Sequence, residues 1–249
     1  MAAFPVIHAV TDSGVVMHAA FLERAKSIMR ALGPRGAMHL RSSRASGKRF
    51  YELATALAKA QEETGCWLIV NDRVDVAAAV QARGAQLASH SLPVADALLV
   101  LGIPVGASIH SVEEAIEAEA DGASWCVAGT VFETPSHIGR SPARTTFIEQ
   151  VVKAVKIPII AIGGVMPEDV AALKRAGAHG IATIRGAGWE GGFAASADDD
   201  DVRKTRLPVP SDSAFVESVT RYISAYDSES GSGDDNVDGE RRGPGAGAE

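Results

Sequence analysis

Residues 157–184 read IPIIAIGGVMPEDVAALKRAGAHGIATI, and the order of residue types in this stretch decides the fold. Ile159–Ile162 is a continuous apolar run of the kind that a strand covered on both faces requires. Gly163-Gly164 interrupts it. Pro167 suits the first turn of a helix, where its missing N–H costs nothing, and the apolar residues up to Ala176 recur near helical spacing. Gly177 suits the helix end, and a second apolar run, Gly180–Ile184, follows at once. Strand, covering helix and strand in this order make a parallel crossover unit.

The unit repeats along the chain. Apolar runs at Val6–Val10, Ala37–Leu40, Trp67–Val70, Ala85–Leu87, Val105–Ile109 and Trp125–Ala128 precede the quoted stretch, which brings the expected strands to eight. Phe50–Glu63, Val74–Ala82 and Val112–Ala120 carry helical spacing between them. Eight repeats predict an α/β chain closed into a single-domain (β/α)₈ TIM barrel, with a doubly wound open sheet as the alternative. The 249 residues, 46% of them hydrophobic, suffice for its core. The rhythm breaks after Ile184, where Gly, Pro and an acidic run predict a loop insertion at 188–212 before helical Ser213–Tyr226. The barrel is thus assigned to residues 1–226. The Gly-, Ser- and acid-rich tail 227–249 is expected to be disordered, having almost nothing apolar to bury.

Charge and composition narrow the function. A formal net charge of −7 argues against a nucleic-acid partner, since phosphate backbones are met by clustered Lys and Arg. The apolar runs are too short to span a bilayer, and the opening MAAFPVIHAV has no basic region followed by a long apolar stretch, so a cytoplasmic protein is expected. Cys66 and Cys126 stand far apart within apolar runs and read as small core residues, not as a disulfide or zinc site. Asp198–Asp201 reads as a solvated loop.

In such a barrel ligands gather at the C-terminal ends of the strands, so the polar residues that close each apolar run carry the information. Gly163-Gly164 lets the backbone approach a ligand without a Cβ clash, and its N–H groups, joined by those at Arg185-Gly186, are expected to cradle a phosphate. His39 and Arg41 alternate and therefore face the same side, with Arg41 a natural anion clamp. Asp72 closes the third run and could orient a ligand amine or bind Mg²⁺, whereas Asp75 suits a helix N-terminus. His110 and His137 are acid–base candidates, although either taken singly reads more readily as a hydrogen-bonded structural residue. No G-x-G-x-x-G follows an early strand, so a dinucleotide site is not indicated.

Five strings, NDRVDVA at 71–77, SIHSVEEA at 108–115, GTVFETPS at 129–136, IPIIAIGGVMPEDV at 157–170 and AGAHGIATI at 176–184, fall in a telling order and spacing. Together they resemble the superfamily that joins thiamin phosphate synthase with TenI, the thiazole tautomerase, over Val6–Gly186. The resemblance implies a (β/α)₈ barrel and a phosphorylated thiazole or other thiamin precursor as ligand. It places Arg41, Asn71, Asp72, Ser108, Thr134 and Ser136 around the substrate. A homo-oligomer is left open.

The departures choose between branches. The synthase pattern Q-x-R-x-K meets His39-Leu40-Arg41-Ser42-Ser43, where the Arg alone matches. Its G-Q-x-D, whose Asp would share Mg²⁺ with Asp72, meets Ala88-Ser89-His90-Ser91, and the lysine of T-P-T-K is replaced by His137. Pyrophosphate leaves poorly until its charge is neutralised. The H-x-R after the second run and the uncharged Gln86–Ser91 look more like TenI, although a His of that branch appears here as Thr130.

The leading expectation is therefore a TenI-like tautomerase of a thiazole carboxylate phosphate. It would work without a cofactor, with His39, His137 or Thr130 at the proton-transfer step and Arg41 on the carboxylate. The alternative is a thiamin phosphate synthase joining a pyrimidine diphosphate to thiazole phosphate, which would bring in Mg²⁺ at Asp72. A further alternative is a non-catalytic regulator that binds thiamin precursors.

Overall fold

The computed structural model describes residues 3–132, 144–184 and 212–228. The strands are β1 (Ile7–Val10), β2 (Gly36–Leu40), β3 (Trp67–Asn71), β4 (Gly84–Leu87), β5 (Val105–Ile109), β6 (Trp125–Gly129), β7 (Ile159–Ile162) and β8 (Gly180–Thr183). All neighbours pair in parallel and β1 pairs with both β2 and β8, so the sheet is a closed barrel and the open-sheet alternative is excluded. The helices are α1 (Ser13–Met17), α2 (Phe21–Leu32), α3 (Gly47–Thr64), α4 (Val74–Ala79), α5 (Val94–Val100), α6 (Val112–Ala120), α7 (Arg144–Ala154), α8 (Val170–Arg175) and α9 (Asp212–Ser228). Among the described residues no helix is long and apolar enough to cross a membrane.

Alternation along each strand separates two cores. Ile7, Ala9, Met38, Leu40, Leu68 and Val70 point outward and pack with helix residues such as Phe21, Ile28, Phe50 and Leu57. Val10, Ala37, Ile69, Trp125, Val127, Ile160 and Ala182 form the smaller cluster inside the ring. Trp125, fully buried, takes the space that two glycines leave open: a Cβ at Gly84 would lie 2.8 Å from its ring and one at Gly106 only 2.1 Å. Below it, at the strand N-termini, Phe4 closes the floor, its ring centroid 5.1–5.6 Å from those of His8, Trp67, Trp125 and His179.

Helix starts are fixed locally. Ser46 and Ser111 accept from the N–H groups of Arg49 and Glu114, satisfying donors that the first turns of α3 and α6 leave unpaired. Gly65, at φ +76°, ends α3 in the left-handed conformation that a side chain disfavours. The expected helix 167–176 divides into a 3₁₀ turn at Pro167–Asp169 and then α8, because Pro167 opens the tighter turn and Asp169 accepts from the Met166 N–H at 2.9 Å. The expected helix 74–82 stops at Ala79. α9 runs to Ser228, two residues past the expected barrel boundary, and Asp227 pairs with Arg35 at 2.6 and 2.9 Å. The expected insertion 188–212 and tail 227–249 otherwise lie outside the described residues.

Candidate active site

Parallel pairing brings the C-terminal ends of all eight strands to one rim, and the polar string after each strand meets its neighbours there. Arg41 follows β2. Its peptide is fastened to the end of β1, donating N–H to Thr11 Oγ1 at 2.8 Å while that hydroxyl donates to the Arg41 carbonyl at 3.0 Å. Thr11 is buried and the Arg41 side chain exposed, so a fixed backbone carries a guanidinium free to meet an anion.

Asp72 sits beyond β3 in the left-handed region, at φ +61°, a conformation uncommon for any residue but glycine though better tolerated by Asp. The reason is visible in its bonds. Its N–H donates to the Gln86 carbonyl at 2.9 Å, while Oδ1 accepts from the Ala88 N–H at 3.1 Å and from the Ser91 hydroxyl. The carboxylate is thus turned onto the loop after β4. Ser108, on β5, accepts from Gln86 Nε2 at 3.1 Å, and Gln86 Oε1 accepts the Trp125 indole N–H at 2.8 Å. Trp125 therefore orients Gln86, and Gln86 orients Ser108, leaving the Ser108 proton for an acceptor in the mouth.

The loops after β6 and β7 are joined. Val131 N–H donates to Ile162 O and Phe132 N–H to Gly163 O, both at 3.0 Å. Gly163 and Gly164 have φ of +103° and +64°, and a Cβ on Gly163 would stand 2.5 Å from the Thr130 methyl. Backbone without side chains is thus presented to the mouth where a phosphate is expected. Behind it, buried Tyr222 on α9 donates its hydroxyl to the Val165 carbonyl at 2.9 Å.

His39 is placed differently from the expectation. It shares the inward face with Arg41 but lies a layer deeper, 1% exposed, with Nε2 2.8 Å from His8 Nδ1 and Nδ1 3.3 Å from Asn71 Oδ1. Burial pushes its pKa down to about 4, against a raising contribution from Asn71. Both ring nitrogens face other groups of the protein, so His39 lies beneath the rim and meets it through Asn71. His110 faces the start of α6, where its backbone N–H donates to the Glu114 carboxylate at 2.6 Å and its ring Nδ1 lies 3.4 Å from the same oxygen. Asp75 occupies the first turn of α4 as expected, where the Arg73 guanidinium holds its carboxyl below the usual range. Both cysteines are buried and free, and burial pushes the Cys126 thiol up to about 12.

Arg41, Asn71, Asp72, Ser108, Thr130, Gly163 and Gly164 therefore share one rim. Thr134, Ser136, His137, Arg185 and Gly186 lie outside the described residues. The expectations missed His8, hidden in an apolar run, and Ser91, whose partner is distant in sequence. Among the described residues no group of three or more His, Cys, Asp or Glu is arranged to hold a metal ion. Among the described residues Asp72 faces the Ser91 hydroxyl on the loop after β4, and not a second carboxylate.

A (β/α)₈ barrel whose strand ends gather a polar rim is the class that fold and site define. The model of the family described as thiamine monophosphate synthase matches residues 7–187, and the chain belongs to that family. A thiamine-phosphate synthase of Pyrococcus abyssi is 38% identical over 161 residues, 64% of this chain and 78% of the relative. One of Syntrophomonas wolfei is 35% identical over 181 residues, 72% of this chain and 86% of the relative. The solved thiamine phosphate pyrophosphorylase of Pyrococcus furiosus superposes with a TM-score of 0.71 at 25% identity, covering 91% of this chain and 97% of that one. These relatives carry the synthase name, so the preference for the tautomerase branch finds no support among them and the alternative gains.

Proposed function

We propose that this chain is a thiamine-phosphate synthase that joins a pyrimidine diphosphate to a thiazole phosphate and releases pyrophosphate. The observation that carries the reading is the convergence of Arg41, Asn71, Asp72 and Ser108 on one side of the rim, facing the glycine pair Gly163-Gly164 on the other. Two anionic substrates need two anion-binding places on one mouth. Arg41 offers its planar fork to the departing pyrophosphate, where charge develops as the bond breaks. Ser108 adds a hydroxyl proton, and Gly163-Gly164 holds the thiazole's phosphate. The names of the relatives favour the same reaction. The test is pyrophosphate release from the pyrimidine diphosphate, dependent on thiazole phosphate and run with and without Mg²⁺. No release under either condition rejects the reading.

One observation favours a second reading. Asp72 meets the Ser91 hydroxyl, and not a second acid, on the loop after β4, which suits a proton shift that needs no metal. On that reading the rim binds a thiazole carboxylate phosphate and tautomerises it, with Thr130 or His137 as the proton carrier. Following the two tautomers by NMR with and without the protein decides it. An unchanged interconversion rate removes it.

A further inference from the structure

Beneath the rim, three polar residues on neighbouring strands form a line that ends inside the barrel. His8 Nε2 lies 3.1 Å from the Pro5 carbonyl, His8 Nδ1 lies 2.8 Å from His39 Nε2, and His39 Nδ1 meets the Asn71 amide at 3.3 Å. A carbonyl oxygen only accepts, so His8 must carry its proton on Nε2. Both rings are buried, which lowers both pKa values, His39 and His179 adding to the effect at His8, so each ring holds one proton at neutral pH. His8 Nδ1 is then a bare lone pair, and the hydrogen between the rings belongs to His39 Nε2. His39 Nδ1 is bare in turn, and only a donor can face it. The Asn71 amide, whose Oδ1 is placed 3.3 Å from His39 Nδ1, must therefore be turned over, with its Nδ2 to His39 and its Oδ1 away. Amide oxygen and nitrogen have the same shape, and the bonding network decides between them. The opposite orientation would set two lone pairs against each other at Pro5 or require an extra buried proton.

We propose that His8 is a positioning residue: by accepting the His39 Nε2 proton it fixes the Asn71 amide so that its carbonyl oxygen faces the mouth. An acceptor there suits an N–H donor, such as an amino group on a heteroaromatic ring, and disfavours a phosphate oxygen. His8 touches no ligand and acts through two intervening side chains. Only the choice of an aminopyrimidine as probe rests on the synthase reading; the proton positions do not.

The decisive measurement is a long-range proton–nitrogen correlation spectrum of histidine-labelled protein near neutral pH, assigned with His8→Phe and His39→Gln. Both buried rings are expected as the Nε2–H tautomer. A proton on Nδ1 of either ring, or an imidazolium, overturns the proposal. Calorimetry with a phosphate-free aminopyrimidine alcohol and, separately, inorganic pyrophosphate gives the functional arm. His8→Phe is expected to weaken aminopyrimidine binding about tenfold, the worth of one hydrogen bond, and to leave pyrophosphate binding unchanged. Equal losses for both probes, an unchanged aminopyrimidine affinity, or no aminopyrimidine binding by the wild type overturns it. Should His8→Phe not fold, the wild-type spectrum still decides. Absence of pyrophosphate release with the tautomers as assigned would sink the synthase reading alone.

Discussion

The indole N–H of Trp125 donates to Oε1 of Gln86 at 2.8 Å, with the ring lying where Gly84 and Gly106 have no side chain. A methyl at Gly106 would meet the indole at 2.1 Å and Gln86 Oε1 at 2.6 Å. Gly106→Ala is therefore expected to destabilise the barrel by about 1–3 kcal/mol through overpacking, read as a lower urea midpoint. An unchanged midpoint would show that the ring has room to move.

Tyr222 ties the last helix to the glycine loop through its bond to the Val165 carbonyl. Tyr222→Phe leaves that carbonyl without its donor at little change in volume. A loss of about 1–3 kcal/mol in denaturant unfolding is expected, and a loss confined to a few tenths would place water at the carbonyl.

Acid should weaken the fold before carboxylates are affected. His39 has a folded pKa of about 4 against an ordinary value of 6.5, so the unfolded chain takes up its proton first as pH falls. Its contribution is complete above about pH 6.5 and declines towards pH 4, amounting to about 3 kcal/mol, with His8 acting in the same direction. Asp75 and Asp227, whose pKa values are lowered, lose their contributions only at more acidic pH, below the ordinary 3.8. Urea midpoints at about pH 7 and about pH 5 should differ clearly, and His39→Gln should flatten the difference. A wild-type profile flat over this window would mean that the pair is not buried neutral.

Ser91 donates to Asp72 where a second carboxylate would make a cation site. Ser91→Asp should lower the melting temperature without metal, through like-charge repulsion, and restore it in millimolar Mg²⁺. The unmodified protein should show little Mg²⁺-dependent shift. A large shift in it would place a cation ligand elsewhere on the rim.

Arg41 is held by its backbone and offers only its side chain. Under the proposed synthase reaction, Arg41→Gln should leave the melting temperature unchanged and lower kcat/KM for the pyrimidine diphosphate by about 10²-fold or more, the loss of a charge-assisted pair. A loss in stability instead would make the guanidinium structural.

The barrel was legible because its strands are apolar throughout: Val105–Ile109 and Ile159–Ile162 match their expected bounds, and the other six differ by one residue at one end or the other. The short apolar–glycine punctuation that betrays strands does so because both of their faces are covered. Depth was not legible. His39 and Arg41 alternate correctly, yet one is buried and the other in water, because strand tilt and closure set how far each end rises above the core. His8 was hidden within IHAV, and Ser91 meets Asp72 only once β3 and β4 pair. α2 and α5 were passed over as well, although Phe21, Ile28 and Leu32 carry a helical stripe.

Phe4 makes the barrel a cup and not a tube. Whatever stands at the rim then also stands above the two tilted imidazoles of His8 and His39, whose centroids lie 5.1 Å apart.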